Sequence, residues 1–275
     1  KAELLSLIGV YTIASYRIMP SINRIMISLN GISENQYTLP VLEQLLNFQK
    51  QSHYKPNLFS FKDSITLSSL SYKYPNSESN ILEKLNFTAK KGEIIAIKGV
   101  SGCGKTTLMN LILGFLKPCS GKIIIDNHEL NNLNIDSWQQ KIGYVQQEVY
   151  LLDCSIVENI AFGIDLELID LKKVNKVIKQ AQLEQLVDSL ENGINTILSE
   201  RGSNLSGGQR QRIGIARALY FDSEVLFFDE VTSSLDSKTE HEINKTIKKI
   251  ARHDGLTVFM ITHKKLSFVD KTIEL

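Results

Sequence analysis

The segment GVSGCGKTT, residues 99–107, has the residue types and spacing of a loop that binds phosphate. It fits the pattern G-x-x-x-x-G-K-[ST], follows the apolar run EIIAIK and opens a helical pattern, which is the context that this motif requires. We expect Lys105 to reach the outer phosphates and the Thr106 hydroxyl to ligate Mg²⁺. The alternative, a chance glycine turn before a helix, does not account for the matching lysine and threonine.

The backbone of this loop is expected to make most of the phosphate contacts. Glycines let successive N–H groups curve around a phosphate, and the helix N-terminus adds partial positive charge. The predicted nucleotide-binding residues of the loop are Gly99, Ser101, Gly102, Cys103, Gly104, Lys105, Thr106 and Thr107.

The run VLFFDEV supplies two carboxylates at the end of an apolar strand. We expect Asp229 to hold Mg²⁺ through its water shell and Glu230 to orient and polarise an attacking water. On its own, an Asp-Glu pair after a strand is most often part of a solvated loop. Beside a phosphate-binding loop, it favours hydrolysis of a nucleotide.

A second glycine turn, LSGGQRQR at residues 205–212, also opens a helix and is a second candidate anion site. The alternative is an ordinary helix cap, because Ser206 by itself can satisfy the first N–H groups of the helix. If the second turn is an anion site, one chain has one nucleotide-binding loop and two phosphate-binding helix starts.

The phrase LSGGQRQRIGIARAL, followed at close spacing by FFDEVTSSLD, resembles the signature, Walker B and D-loop series of the ABC transporter ATPases. In that family two nucleotide-binding domains pair head to tail, and each signature closes over the ATP of the other domain. The resemblance implies ATP and Mg²⁺ as cofactors and a homodimer in which Ser206 and Gly208 contact the γ-phosphate bound by the second copy. Gly207 and Gln209 complete the signature contacts, and Asp236 communicates across the interface.

Three further positions are similar to functional residues of the family. Tyr74, in SYKYP, stands where the family stacks an aromatic on adenine, a contact worth about 1–3 kcal/mol; Tyr72 competes for this role, and an edge-strand aromatic is the structural alternative. Gln147, in YVQQE, resembles the Q-loop residue that reaches Mg²⁺ and senses the membrane domain. Because Gln146 replaces the usual proline, a register shifted by one residue stays open. His263, after the run VFMIT, resembles the switch histidine for the γ-phosphate, with a purely structural histidine as the alternative.

Departures from the family pattern affect two cysteines. Cys103 replaces a more usual serine and is expected to contribute only its backbone N–H, whereas Cys154 replaces glycine and is expected to matter little. The run Glu200-Arg201-Gly202 resembles the X-loop of ABC exporters, whose acidic residue contacts the membrane domain. LLDCSIVENIAFG is similar to the exporter form of the Q-loop, so both features indicate an exporter.

Composition limits the classes of partner. The chain has 275 residues, 43% of them apolar, which is enough for a large core. Its 31 basic and 30 acidic residues nearly cancel to a formal +1, so we expect no nucleic-acid partner. Three widely spaced cysteines without C-x-x-C pairing argue against a disulfide framework or a zinc site.

Alternating apolar strands and helices predict an α/β fold with a largely parallel core, including one long helix over DLKKVNKVIKQAQLEQLVDSL. The resemblance implies a P-loop NTPase with a RecA-like parallel-sheet core, an antiparallel β subdomain and a helical subdomain at about residues 148–224. We expect this domain to occupy residues 57–275 and to be truncated at its C-terminus, inside the strand DKTIEL.

Residues 1–56 are expected to be the cytoplasmic end of a last transmembrane helix and a linker. The apolar stretch over residues 2–16 is shorter than the about 20 residues of a membrane span, and Arg17 and Arg24 fit its cytoplasmic side. Pro20 is expected to kink the helix or to mark its joint, Gly31 to end it, and Leu39-Pro40 to open a second one.

These features predict an ATPase domain of an exporter, bound to a transmembrane domain of its own chain. The predicted location is the inner membrane of a bacterium, with the ATPase domain in the cytoplasm. The segment IASYRIMPSINRI resembles the last transmembrane helix of exporters that flip lipid-linked oligosaccharides; lipid, peptide and drug substrates stay open. The alternatives are a soluble ABC ATPase of translation or DNA maintenance and an ATP-binding regulator without turnover.

Overall fold

The computed structural model describes residues 2–50, 61–75, 77 and 79–275. It divides into two compact units at Lys55 and Pro56. The first unit contains helix α1 (Ala2–Asn35) and helix α2 (Thr38–Lys50). Helix α1 is continuous through Pro20. In the described part of the chain, no helix combines the length and the hydropathy that crossing a bilayer requires.

The prediction that Gly31 ends the first helix is wrong. A single glycine costs a helix only about 1 kcal/mol, and the Gly31 carbonyl accepts a hydrogen bond from Asn35 Nδ2 at 2.7 Å. The helix therefore continues to Asn35, whose carbonyl accepts a bond from the Thr38 hydroxyl at 2.6 Å as α2 begins. Many apolar side chains of α1, among them Leu7, Ile8 and Val10, are exposed.

The second unit begins with an antiparallel sheet. Its strands are β1 (Ser64–Tyr72), β2 (Leu82–Lys90), β4 (Ser120–Ile125) and β5 (His128–Glu129), in the order β2-β1-β4-β5. In the first part of β1, Ile65 and Leu67 face inward, because successive strand side chains point to opposite faces. This sheet is the predicted antiparallel β subdomain.

A parallel sheet forms the centre of the second unit. Its strands are β3 (Ile94–Lys98), β6 (Ile142–Val145), β7 (Val225–Asp229), β8 (Thr257–Ile261) and β9 (Lys271–Glu274), in the order β6-β7-β8-β3-β9. Both faces of β7 are covered: Leu226 and Phe228 belong to one apolar cluster, and Val225 and Phe227 to another. A strand buried on both faces reads as a continuous apolar run, which is why the parallel core was predictable.

Helices cover this sheet and extend from it. They are α3 (Lys105–Ile112), α4 (Ile135–Gln139), α5 (Ile156–Ile160), α6 (Leu171–Gln180), α7 (Glu184–Asp188), α8 (Gly207–Tyr220) and α9 (Ser237–Asp254). The predicted single helix over residues 170–190 is broken between α6 and α7. Gln182 adopts a left-handed backbone with φ 56°, and the next residue, Leu183, is fully buried. The break directs Leu183 into the core, and this tertiary contact overrides local helix propensity.

Asn159 ties the segment before α5 to the end of α8. Its Oδ1 accepts a hydrogen bond from the Leu152 backbone N–H at 2.9 Å, and its Nδ2 donates to the Leu152 carbonyl at 3.0 Å. Nδ2 also lies 3.3 Å from Cys154 Sγ, while Arg217 of α8 donates to the Asn159 carbonyl at 2.8 Å. Because Asn159 is fully buried, each of these bonds lies away from competing water.

We predict that Asn159→Ala destabilises the fold by about 2–4 kcal/mol, because it removes the side-chain bonds to the Leu152 backbone and to the carbonyls of Cys154 and Ser155. The change is measured as a lower midpoint of urea unfolding. The matched control is Asn175→Ala on the exposed face of α6, where alanine is the better helix former and stability should stay equal or rise slightly. Equal midpoints for the two variants would contradict the role assigned to Asn159.

Candidate functional site

The phosphate-binding motif forms a tight turn between β3 and α3. Gly104 caps α3 in a left-handed conformation with φ 106°, and a Cβ there would lie 2.6 Å from Ile81 Cγ2. At Gly99 a Cβ would overlap the Cys103 sulfur, so both positions require glycine. Lys105 folds back across the loop and donates to the carbonyls of Gly99 at 3.2 Å and Val100 at 3.0 Å. The loop thus keeps a buried ammonium beside the first turn of a helix.

The remaining polar residues of this motif divide between surface and core. Thr106 is exposed, together with Ser101 and Gly102. The Cys103 backbone N–H donates to the Val100 carbonyl at 3.3 Å, inside the loop. Thr107 is buried, and its hydroxyl lies 3.2 Å from the Tyr74 hydroxyl. The loop therefore presents the Thr106 hydroxyl outward and uses Thr107 to hold its neighbour.

The two candidate adenine-stacking tyrosines differ in exposure. Tyr74 is 39% exposed, whereas Tyr72 is 7% exposed and packs edge-on against Tyr74 with ring centroids 5.1 Å apart. A stacking platform must offer a ring face to solvent. The geometry favours Tyr74 over Tyr72, and the assignment stays a prediction.

Asp229 ends β7 in a half-buried position with one hydrogen-bond donor at its side. The Tyr144 hydroxyl donates to Asp229 Oδ2 at 3.2 Å. Burial raises the pKa of Asp229, the charge of Glu230 adds to this, and the Tyr144 hydrogen bond and the Lys105 charge oppose it. Burial, together with the Asp229 charge, raises the pKa of Tyr144 to about 12, so this hydroxyl stays protonated near neutral pH.

Glu230 and His263 meet at the ends of neighbouring strands. His263 Nε2 lies 3.0 Å from Glu230 Oε1, with the histidine side chain 52% exposed and the glutamate 23% exposed. Glu230 has a left-handed backbone with φ 47°. A non-glycine residue in this conformation costs free energy and recurs at functional sites. The strain is localised at the residue predicted to polarise water.

A short chain of hydrogen bonds connects Gln147 with Glu230. Gln147 Nε2 donates to the Ser233 hydroxyl at 3.1 Å, and that hydroxyl donates to the Glu230 carbonyl at 2.9 Å. Gln211 Nε2, from α8, donates to the Gln147 carbonyl at 2.6 Å. Gln147, rather than Gln146, is therefore the residue whose side chain contacts the segment after Glu230, which supports the predicted register.

The second glycine turn has the geometry of a capped helix. Ser206 Oγ accepts from the Gln209 N–H at 3.2 Å, and Gln209 Oε1 accepts from the Ser206 N–H at 2.7 Å. This is the ordinary cap that the sequence left open as an alternative. A Cβ at Gly208 would overlap Thr239 Cγ2, so glycine there permits close packing of α8 on α9, with Gly207 beside it. Asp236 caps α9 by accepting from the N–H groups of Lys238 and Thr239, each at 3.1 Å.

The predicted residues fall into two groups. Lys105, Asp229, Glu230 and His263 lie at one edge of the parallel sheet. The other group lines an open cleft of about 840 Å³, which includes Gln147, Ser206, Gly207, Gly208 and Asp236 but, among the described residues, none of the loop 99–107. The chain's own glycine turn thus lines a cleft that the described residues of its phosphate-binding loop do not line.

Three contacts of the site were not predicted, namely those of Tyr144, Ser233 and Gln211. Tyr144 precedes Gln147 by three residues on the strand beside β7, and Ser233 follows Glu230 by three residues. Their closeness in sequence to Gln147 and Glu230 was the signal by which these residues could have been found. Each contact spans a large distance along the chain, so no local pattern reported it.

The donor set suits Mg²⁺ held mainly by nucleotide phosphates. Within the described ranges, no three or more His, Cys, Asp or Glu side chains cluster as a metal site. Mg²⁺ usually keeps several waters and takes one or two protein oxygens beside phosphate. The exposed Thr106 hydroxyl and the half-buried Asp229 carboxylate are oxygens of the kinds required. These residues fit the ion.

Comparison with known proteins identifies similar chains. The family model described as ABC transporter matches residues 82–233. An ATP-dependent lipid A-core flippase of Ralstonia nicotianae is 38% identical over 196 residues, covering 71% of this chain and 33% of the relative. The alpha-hemolysin translocation ATP-binding protein HlyB of Escherichia coli is 39% identical over 227 residues, covering 81% and 31%.

A solved structure shares the fold. The structure of a bacterial Atm1-family ABC exporter with ATP bound superposes with a TM-score of 0.70 at 32% identity. The match covers 80% of this chain and 38% of the exporter chain. The chain thus spans about a third of the length of the curated relatives it matches.

We predict that Asp229→Asn raises the melting temperature near neutral pH. Because the native pKa of Asp229 is raised, its ionised form destabilises the native state above that pKa. The gain should shrink as pH falls through the raised pKa and disappear below the ordinary value of 3.8. Thermal unfolding across this pH range measures it.

Asp270→Asn is the control of opposite sign. Burial raises the pKa of Asp270, but hydrogen bonds from Arg252 and the Ile94 N–H outweigh this effect, and the net pKa is lowered. Its carboxylate therefore stabilises the fold above the ordinary pKa, and that stability is lost as pH falls through the lowered value. Asp270→Asn should lower the melting temperature near neutral pH. A loss of stability in both variants would contradict the raised pKa of Asp229.

Proposed function

This chain belongs to the ABC transporter family, and on that premise we propose that it is the ATP-hydrolysing domain of an exporter. The observation that supports hydrolysis most directly is the 3.0 Å contact between Glu230 and His263 at the strand edge that also presents Lys105 and Asp229. A carboxylate base and a histidine beside a phosphate-binding loop are what the removal of a γ-phosphate needs.

The proposed reaction is in-line attack of water on the γ-phosphate of ATP, which breaks the bond from the γ-phosphorus to the β–γ bridging oxygen and releases ADP and phosphate, with the proton of the water passing to Glu230. The backbone of residues 99–104 and the first turn of α3 bind the phosphates, and Lys105 leaves its loop carbonyls to pair with them. Glu230 accepts hydrogen bonds from the attacking water and orients it, while His263 faces the γ-phosphate and holds Glu230 in place. Mg²⁺, when bound near Thr106 and Asp229, neutralises charge on the phosphate oxygens.

A head-to-tail pair of chains is proposed to complete the site. The cleft with Ser206 and Gly208 is lined by none of the described residues of the loop 99–107, which favours a glycine turn that binds a nucleotide held by another copy of the chain. In the proposed pair, the glycine turn of each chain binds the nucleotide of the partner chain. The Ser206–Gln209 cap fixes the N-terminus of α8, and the N–H groups of Gly207 and Gly208 are not part of that cap. These groups are the proposed contacts to the γ-phosphate.

Transport is proposed from the relatives, which are a lipid A-core flippase and a hemolysin translocation protein. Membrane export by a bacterial inner-membrane protein, with this domain in the cytoplasm, is consistent with both. Between them, the segment IASYRIMPSINRI favours a lipid-linked substrate.

The transport proposal is tested with the longest natural chain that contains this segment, reconstituted in lipid vesicles. We expect its ATPase rate to rise severalfold with a lipid-linked oligosaccharide and not with an unrelated peptide. An ATPase rate that rises with the peptide alone would overturn the lipid assignment but would still agree with export. Full activity in lipid-free solution, with no response to either substrate, would contradict export.

We predict that Glu230→Gln retains ATP binding and lowers the turnover rate by at least about 100-fold, because the amide is a far weaker base. Phosphate release measures turnover, and light scattering should detect the dimer trapped with ATP. Glu191→Gln, on an exposed loop, is the matched control and should turn over normally. Near-normal turnover in Glu230→Gln would exclude Glu230 as the base.

Lys105→Ala should instead lose nucleotide affinity.

A further inference from the structure

Tyr144 lies beside Asp229 because of the strand register. Strands β6 and β7 are parallel neighbours, and Tyr144 pairs with Phe227. Side chains two residues apart on a strand share a face, so Phe227, Asp229 and Tyr144 all point to the same side of the sheet. The diagonal from Tyr144 to Asp229 crosses one strand spacing and two residues, about 8 Å between backbones. A tyrosine is long enough to place its hydroxyl at the carboxylate.

The ring of Tyr144 is held by apolar packing. It packs against the apolar cluster that contains Phe227 and the fully buried Trp138. Its hydroxyl donates to Asp229 Oδ2 at 3.2 Å. With the ring held by the core and one carboxylate oxygen held by the hydroxyl, the rotation of the Asp229 side chain is restricted. The second oxygen, Oδ1, is then presented in a defined direction.

We propose that Tyr144 is a positioning residue for the Mg²⁺ of ATP, acting through Asp229. This inference rests on the proposed function, in which Asp229 holds the water shell of the ion. In this proposal Tyr144 does not touch nucleotide or metal. It restricts the Asp229 side chain before the ion binds, so that binding costs less conformational entropy. Hydrogen-bond partners of metal-binding groups commonly change metal affinity by about 10–100-fold. Because Asp229 acts through water, we expect the low end of that range.

The experiment measures Mg²⁺-dependent binding of a non-hydrolysable ATP analogue to the full 275-residue chain. Fluorescence anisotropy is recorded in EDTA and during titration with Mg²⁺. Tyr144→Phe removes only the hydroxyl and should require about tenfold more Mg²⁺ for half-maximal tightening. Its affinity in EDTA should equal that of the wild type. Tyr37→Phe, an exposed tyrosine between α1 and α2, is the matched control and should not shift the midpoint.

A double variant tests whether the effect passes through Asp229. In an Asp229→Asn background, Tyr144→Phe should add no further shift, since residues that act as a unit are not additive. A Tyr144→Phe midpoint within twofold of wild type overturns the proposal. A lower affinity in EDTA with an unchanged Mg²⁺ midpoint also overturns it, because that pattern marks a structural role only. If the wild type itself shows no Mg²⁺ dependence, the metal-binding part of the proposed function fails instead.

Discussion

Parallel pairing of β3, β7 and β8 is the constraint on which the site depends. Parallel strands end at the same edge of a sheet, and ligands of such sheets bind beyond that edge. Here the three strand ends lead into the loop 99–104, the Asp229-Glu230 pair and His263. The apolar strands are buried on both faces, so their register is fixed by packing against two clusters. The positions of the polar groups follow from apolar contacts made several residues earlier.

The same edge carries groups that do not favour stability. Asp229 is a carboxylate whose pKa is raised by burial, and Glu230 adopts a left-handed backbone. Both features cost free energy that the surrounding fold must offset. They coincide at adjacent residues, at the point where a strand turns into the segment leading to α9. Concentration of such costs in one place is typical of a site maintained for chemistry.

Helix α8 links the second glycine turn with the segment that contains Gln147 and Asn159. Its first turn is the Ser206–Gln209 cap, its middle holds the Gln147 carbonyl through Gln211, and its end holds Asn159 through Arg217. Arg217 also lies over the Phe162 ring at 5.1 Å. A shift of the segment 147–162 therefore acts directly on α8. These bonds couple the position of the segment 147–162 to that of the capped N-terminus of α8.

Local patterns identified the family and the α/β fold, because phosphate binding and burial impose short, regular signatures; the family resemblance added the antiparallel sheet. The roles of the candidate residues from Lys105 to His263 stay predictions. Local patterns failed where a distant contact decided the outcome: helix α1 passes through Gly31, and burial of Leu183 breaks the helix predicted over residues 170–190.

Asp229 shows most clearly which information comes from the sequence and which from the tertiary structure. Its residue type and its place at the end of an apolar strand predicted a metal-binding carboxylate only in combination with the phosphate-binding loop 99–107. Its hydrogen bond to Tyr144 joins residues 85 positions apart, and the bond from Gln147 to Ser233 joins residues 86 apart. The sequence by itself determined which groups can do the chemistry. Only the tertiary structure decided which groups hold them in place, because strand register and sheet order bring distant side chains together.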